Sequence, residues 1–415
     1  MNERREFWHP RRLLWIVAFA FLALSVLPES GFGIPAFARK YRLSCTTCHA
    51  PVPRLKAYGE DFAGNAFQLE GKEPARFFRD TGDPILTLQR ELPIAVRFDS
   101  YVRFQTKEGM RKSDLQTPYG LKFLSGGQIA KDISYYFYFY LSEHGEIAGI
   151  EDAYVHFNNL FGTDLDLMIG QFQVSDPLFK RELRLTYEDY QIYKVRVGDV
   201  LTNLTYDRGI MLTYSAGTGT DVVLEVVNGN GKGEASPEQN FDLDNFKNVA
   251  LRVSQSFGPV RVGGFGYLGK EKHRKLVQAD QGGQWVNVTD NLRYLGADAT
   301  LDAGKSLQLN LQFLQRHDDN PYLVHTGAMA VDTKGFIAEL IWALQGEMGR
   351  SFLTFLYNKV RAEGSPGPAY RLLDYETATA SYSYLLRRNL RLVFESTYDR
   401  TTKNVRFLGG FVSAF

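Results

Sequence analysis

From Ile94 onward the chain alternates apolar and polar residues over runs of ten or more positions. In Ile94–Gln105, Val96, Phe98, Val102 and Phe104 fall on one face, with Arg97, Asp99, Tyr101, Arg103 and Gln105 on the other. Lys305–Arg316 sets Leu307, Leu309, Leu311 and Phe313 against Gln308, Asn310 and Gln312, and near the C-terminus Leu390, Leu392 and Phe394 oppose Arg391 and Glu395. A period of two predicts β-strands, and these runs exceed the usual length of about five or six residues. A strand that crosses a bilayer needs about 9–11 residues, apolar toward lipid and polar toward a lumen.

Sixteen such strands are predicted, beginning near residues 94, 121, 132, 149, 163, 207, 220, 248, 259, 291, 305, 333, 350, 375, 389 and 404. Their connections alternate in length. Those around 106–120, 173–206, 229–247, 268–290, 317–332 and 363–374 are long, whereas Lys131-Asp132, Phe257-Gly258-Pro259, Ala303-Gly304 and Arg387-Arg388 are tight turns. Outer-membrane barrels show this asymmetry, with short turns on the periplasmic side. The last strand ends on an aromatic, Phe415. The expected fold is therefore all-β, a transmembrane barrel of about 16 antiparallel strands. A soluble sandwich or propeller would need shorter strands, and no blade-length repeat is visible.

The first 90 residues are different. Arg4, Arg5, Arg11 and Arg12 precede a charge-free apolar stretch, Leu13 to Leu27, which Pro28 ends before the small residues Gly31 and Gly33. That is the layout of a secretory signal peptide over residues 1–33. The apolar stretch is shorter than the ~20 residues of an anchor helix. Removing it takes away four Arg and three Glu and leaves 44 basic against 44 acidic side chains, a balance that argues against a nucleic-acid partner. Residues 34–90 form the next unit and 91–415 the barrel.

Both cysteines of the chain stand in Cys45-Thr46-Thr47-Cys48-His49. C-x-x-C-H is the attachment sequence of c-type haem. Two thiols three positions apart form thioethers to the porphyrin vinyl groups, and the adjoining His supplies the proximal ligand to the iron. A disulfide would not need the His, and a thioredoxin-like redox pair wants a βαβ setting that this pattern lacks. One covalent haem c on Cys45, Cys48 and His49 is the expected cofactor. Leu55, Tyr58, Phe62, Ala66 and Phe67 have helical spacing and offer a face on which a haem could rest.

Ile34-Pro35-Ala36-Phe37-Ala38-Arg39-Lys40-Tyr41, the C-x-x-C-H run, and then Pro53, Leu55, Tyr58-Gly59, Phe62, Phe67 and Leu69 resemble the fused outer-membrane monohaem cytochrome–porin family of iron oxidases. Ile150-Glu151-Asp152-Ala153-Tyr154 and Gly170-Gln171-Phe172 are in turn similar to phosphate-selective porins. The first resemblance implies one N-terminal haem fused to a sixteen-stranded barrel, Fe(II) as electron donor, and possession of an Fe(II) oxidase activity. One departure is Glu60-Asp61, which follows the Tyr-Gly pair where that family places basic residues.

About 57 residues between signal and first strand are too few to bury a stable core alone, so the haem segment is expected to plug or abut the lumen. It contains no His or Met between Ala50 and Arg90, which leaves the sixth iron position open, weakly ligated, or filled from the barrel. His156 is the barrel candidate for that distal ligand, because it shares the lumenal register of Asp152 and Tyr154. Met168 and Met211 alternate with apolar neighbours, as packing residues do. Lys180, Arg181, Arg184, Arg196 and Arg208 lie in or just beyond the longest connection, which would line a constriction if it folds inward and an exposed ion-paired loop otherwise. Asp290, Asp318 and Asp319 are hard oxygen donors expected near the outer mouth.

The expected function is an outer-membrane electron conduit between an extracellular metal ion or mineral and a periplasmic c-type cytochrome, set in outer-membrane lipid. The alternative is an anion-admitting porin whose haem segment serves as plug or sensor.

Overall fold

The computed structural model describes residues 36–69, 78–90, 92–107, 110–242, 244–279, 282–364 and 373–415. The expected signal peptide and the Ile34-Pro35 start lie outside these residues. Sixteen strands among the described residues form one closed antiparallel barrel. In chain order they are β1 (Ile94–Lys107), β2 (Met110–Ala130), β3 (Ile133–Glu143), β4 (Glu146–Phe157), β5 (Leu165–Gln173), β6 (Tyr206–Ala216), β7 (Thr220–Val227) and β8 (Asn248–Phe257). β9 (Val260–Ala279), β10 (Gly282–Ala303), β11 (Leu307–Asp318), β12 (Val331–Ala343), β13 (Ser351–Gly364), β14 (Asp374–Arg387), β15 (Leu390–Asp399) and β16 (Asn404–Ala414) complete it. Each strand pairs with its sequence neighbour, and β16 pairs back onto β1. Ahead of the barrel stand three short helices, α1 (Ala36–Tyr41), α2 (Cys45–Cys48) and α3 (Ala57–Gly64), and a small ladder of Phe78–Arg79 with Leu88–Gln89. No helix among the described residues is long and apolar enough to cross a membrane.

The outer face of the barrel is apolar, and the inner face carries polar residues together with an apolar sector that a connection covers. On β8, Val249, Leu251 and Val253 are 37–45% exposed, while Ala250, Arg252 and Ser254 between them are buried. Buried Arg252 pairs with Asp298 of β10 at 2.6 Å. That is the alternation of a membrane barrel.

Fourteen strands begin within three residues of the expected positions, but β2 and β10 begin eleven and nine residues earlier. The connections expected at 106–120 and 268–290 are in fact paired hairpins, closing at Lys107–Met110 and Ala279–Gly282. Lys270-Glu271-Lys272-His273-Arg274-Lys275 lies in a strand. Its ladder is satisfied by β10, and beyond the bilayer no lipid face demands apolar residues, so the alternation that marks the other strands is lost.

The connection 174–205 folds into the lumen. Phe179, Tyr190, Ile192, Tyr193, Val195 and Leu204 pack against Val227, Phe265, Tyr267, Tyr294, Leu314, Ile337 and Leu356 of the wall in one hydrophobic core. Polar anchors fix it there. The Tyr190 hydroxyl donates to Glu339 at 2.9 Å, fully buried Arg316 donates to the carbonyls of Val195 and Thr202 (3.1 and 2.8 Å), and Glu395 accepts the N–H groups of Tyr187 and Glu188 (2.7 and 3.1 Å).

A bulge on β4 prepares another anchor. Tyr138 of β3 faces Asp152 and Phe139 faces Ile150, which leaves Glu151 as the extra residue and turns both Glu151 and Asp152 inward. Gln171 of β5 clasps the bulge by donating to the carbonyls of Ile150 and Glu151 (2.8 and 2.9 Å). The neighbouring residue must be Gly170, because its φ is +149° and a Cβ there would stand 2.2 Å from the Ala153 carbonyl oxygen. Glu151 so placed meets the Lys122 ammonium at 2.9 Å, which also pairs with Glu143 at 2.7 Å and with Glu182 of the inward connection at 3.2 Å.

Lys122 is 3% exposed, and removing one member of a buried ion cluster leaves uncompensated charge that costs about 3–5 kcal/mol. Lys122→Met is expected to destabilise the barrel by that amount. Equilibrium urea unfolding in detergent checks it, and an unchanged midpoint would show that the cluster adds no net stability.

Candidate functional site

One helical turn organises the C-x-x-C-H segment. The Ser44 hydroxyl caps α2 by accepting the Thr46 N–H at 3.4 Å. Residues three apart share a side of the helix, so Cys45 and Cys48 project together. The His49 N–H donates to the Cys45 carbonyl at 2.9 Å, and the backbone then leaves the helix. The His49 Nδ1 lies 3.0 Å from the Pro53 carbonyl oxygen and 3.3 Å from that of Arg54. Carbonyls only accept, so Nδ1 carries the proton and Nε2 is left as the acceptor, with no hydrogen bond among the described residues. This is how proteins orient a metal-binding imidazole. Burial, partly opposed by those carbonyls, pushes the His49 pKa below that of a free imidazole and favours the neutral, ligating form. Burial likewise pushes up the pKa of both thiols, which are not disulfide-bonded. The donor set fits a c-type haem.

The segment is held in the barrel mouth. The Lys56 N–H donates to the Cys48 carbonyl at 2.8 Å, and α3 crosses at Gly59, where a Cβ would sit 2.4 Å from the Cys48 carbonyl oxygen. Phe62 and Ala66 are buried, and Phe67 stacks on Phe37 of α1 and on Tyr136 of β3, both at 4.7 Å between ring centroids. Of the face expected to carry a haem, Phe62, Ala66 and Phe67 are spent on docking, while Tyr58 is exposed. Further contacts are spaced around the wall. Arg39 donates to the Ile94 carbonyl on β1 (2.7 Å), Gln89 to the Gln128 carbonyl on β2 (2.7 Å) and Arg54 to Gln308 on β11 (3.2 Å), and Glu60 pairs with Arg261 on β9 (3.9 Å). These lie toward the end where β1 starts, β16 finishes and turns such as 131–132 and 304–306 run. The segment plugs that mouth, as its length led us to expect.

The cleft beside Cys45, Thr46 and His49 is bordered on the barrel side by Glu347, Leu385 and Arg388. His156 borders a different space, a cavity of about 690 Å³ between the plug and the inward connection, together with Arg54, Leu55, Glu60 and Asp61. The structure therefore does not bring His156 into the cleft of His49. An outer vestibule of about 580 Å³ is bordered by Arg103, Arg184, Lys194 and Arg406 along with Asp114, Glu188 and Asp189.

Of the two alternatives for the longest connection the inward one is found, but most of its cations are paired. Arg181, Arg184 and Lys194 surround Asp189 at 2.5, 3.8 and 3.5 Å, and Lys180 meets Asp176 at 3.9 Å. Burial opposes ionisation of Asp189, yet the guanidiniums of Arg184 and Arg181 hold its carboxyl well below the usual range. Of the three expected oxygen donors Asp290 and Asp318 lie together, but Asp319 does not join them in a metal-ready set. Asp318 is buried against Arg316 at 2.5 Å, Asp290 accepts the Asn320 N–H, and Asp319 pairs with His317 at 3.1 Å. Among the described residues, no group of three or more His, Cys, Asp or Glu is placed to hold a metal. The Glu151 bulge had no signal in the alternation, because a bulge adds one residue without changing the composition around it.

The architecture is that of a porin-type barrel. The in-vitro folded trimer form of OmpT, an outer membrane protein of Vibrio cholerae, superposes with a TM-score of 0.55 at 12% identity, over 78% of this chain and 99% of that one. The anion-selective porin from Comamonas acidovorans gives 0.52 at 12%, over 78% and 99%. Pseudomonas putida OprB gives 0.54 at 11%, over 78% and 94%. At this identity the likeness is one of fold. No protein-family model matches the chain, and no curated protein matches it significantly.

Gly59→Ala forces a Cβ into the Cys48 carbonyl, and overpacking of that kind costs about 1–3 kcal/mol. The variant is expected to loosen the plug and spare the barrel. Limited trypsin cleavage at Arg54 and Lys56 should accelerate while the urea midpoint of the barrel stays fixed. Unchanged cleavage would show that the close approach is not needed for docking.

Proposed function

We propose that this chain is an outer-membrane electron conduit, passing single electrons between an extracellular reduced metal, Fe(II) by family resemblance, and a periplasmic c-type cytochrome. The observation that carries the reading is the placing of Cys45, Cys48 and His49 at the mouth of a lumen filled from both ends. A bound haem c would supply an iron that takes up and releases one electron at a time. Cys45 and Cys48 would hold it through thioethers, and the Nε2 of His49 would face its iron. The Pro53 and Arg54 carbonyls keep that nitrogen unprotonated. Axial ligation and the groups that hydrogen-bond the ligand would tune the haem's potential. The insulator to be crossed is about 30 Å thick.

The porin reading has its own support in the fold shared with an anion-selective porin and in the cations of the outer vestibule. Against an open channel stands the hydrophobic core that seals the connection 174–205 to the wall.

Two measurements separate the readings. The mature protein, made in a host that attaches haem, should keep a peroxidase-active haem band on a denaturing gel, because thioethers survive denaturation. Purified protein should be reduced by Fe(II) in a visible-light titration, and Cys48→Ala should abolish this while leaving the barrel folded. A stain-negative band of mature length, or anion-selective conductance in planar bilayers without any Fe(II)-dependent reduction, would replace the conduit with the porin.

A further inference from the structure

We propose that the lumenal wall around His156 is a binding site for a soft monovalent cation, Cu(I), built from His156, Met168 and Met211. His156 on β4 lies directly opposite Met168 on β5, and Met168 directly opposite Met211 on β6. Directly opposed residues on one face of a sheet have Cβ atoms about 4.5–5.5 Å apart. One imidazole and two thioethers therefore form an unbroken row, and all three border the same cavity of about 690 Å³. The row continues to Glu225 on β7, opposite Met211. Glu225 is 1% exposed, and neither carboxylate oxygen has a hydrogen-bond partner among the described residues.

The imidazole is what calls for a ligand. His156 is 6% exposed and makes no hydrogen bond among the described residues, and its Nε2 is 3.9 Å from the nearest ion-pair partner, Asp166, beyond hydrogen-bond reach. Its ring nitrogens keep access to the cavity, so a lone pair is free to take a ligand there. Packing accounts for Met211, which belongs to the hydrophobic core, but not for an unpartnered imidazole in the same row. Thioethers are soft donors that select Cu(I), and imidazole suits copper as well. Neighbouring strands lie about 4.8 Å apart, and the unbranched methionine side chains are flexible enough to converge from a concave wall. Glu225 adds an unpartnered carboxyl group at the end of the row. The site uses only barrel residues and does not depend on the haem reading.

The test uses the full mature chain carrying Cys45→Ser and Cys48→Ser, which removes competing thiols and haem together. Under anaerobic conditions it should retain one Cu(I) against a chromophoric chelator. Loss of even an outer partner of a metal ligand costs about 10–100-fold in affinity, so His156→Gln and the Met168→Leu, Met211→Leu pair should each weaken binding at least about tenfold. Retention of no Cu(I), or unchanged affinity in either variant, would overturn the proposal. Copper-edge X-ray absorption of the cysteine-free protein decides the matter even if a variant fails to fold. Sulfur around the metal can then come only from methionine, and a shell of nitrogen and oxygen alone would exclude the site.

Discussion

A strand lying in hydrocarbon can satisfy its backbone only through its neighbours, so the last strand must find the first. Here the join is made by β16 on β1 and finished by Phe415, which exchanges hydrogen bonds with Val96 at 2.6 and 2.9 Å. The terminal aromatic is thereby fixed at the same mouth that receives the plug, because an even number of strands returns the chain to its starting side. Closure determines where the N-terminal segment can go. With Arg39 donating to Ile94 at the root of β1, the segment has little choice but to turn into the opening beside it.

Closure also inverts the usual economy of burial. The apolar side chains face out, so the lumen must be filled by polar groups that find partners, or by chain that brings its own core. Both solutions occur, on different sides of one barrel. Across β7 to β13 the connection 174–205 supplies a hydrophobic core. Toward β2 and β4 it meets the wall through charge, with Glu182 on Lys122 beside the bulged Glu151. The bulge matters because regular alternation could have presented only one of Glu151 and Asp152 to the lumen.

Much of the barrel is legible in the sequence because bilayer and lumen impose opposite chemistry on successive residues. Val249, Arg252 and Val253 declare their faces without knowledge of their neighbours. The hairpin ends at 110–120 and 282–290 do not, since water on both sides removes the contrast. The C-x-x-C-H segment is equally plain in sequence, for its chemistry lies within five residues. The row of His156, Met168 and Met211 is not, because its members are 12 and 43 positions apart and only strand register brings them together. The same holds for Gly170 and Gln171, whose motif becomes intelligible once Gln171 is seen to clasp the bulge 20 residues upstream.

The two insertions leave separate spaces at the two ends, and Arg184 borders both of them. Its charge is not cancelled cleanly. Asp189 is shared with Arg181 and Lys194, and the Arg184 Nε has no hydrogen-bond partner among the described residues. A solute in either space meets that guanidinium, which repels cations and attracts anions. Metal cations arriving from outside are thus disfavoured from crossing, whereas an electron needs no opening. The same cation, were the connection to loosen, would give the lumen the preference of an anion-admitting pore, so the packing of 174–205 decides which of the two physical behaviours this barrel can express.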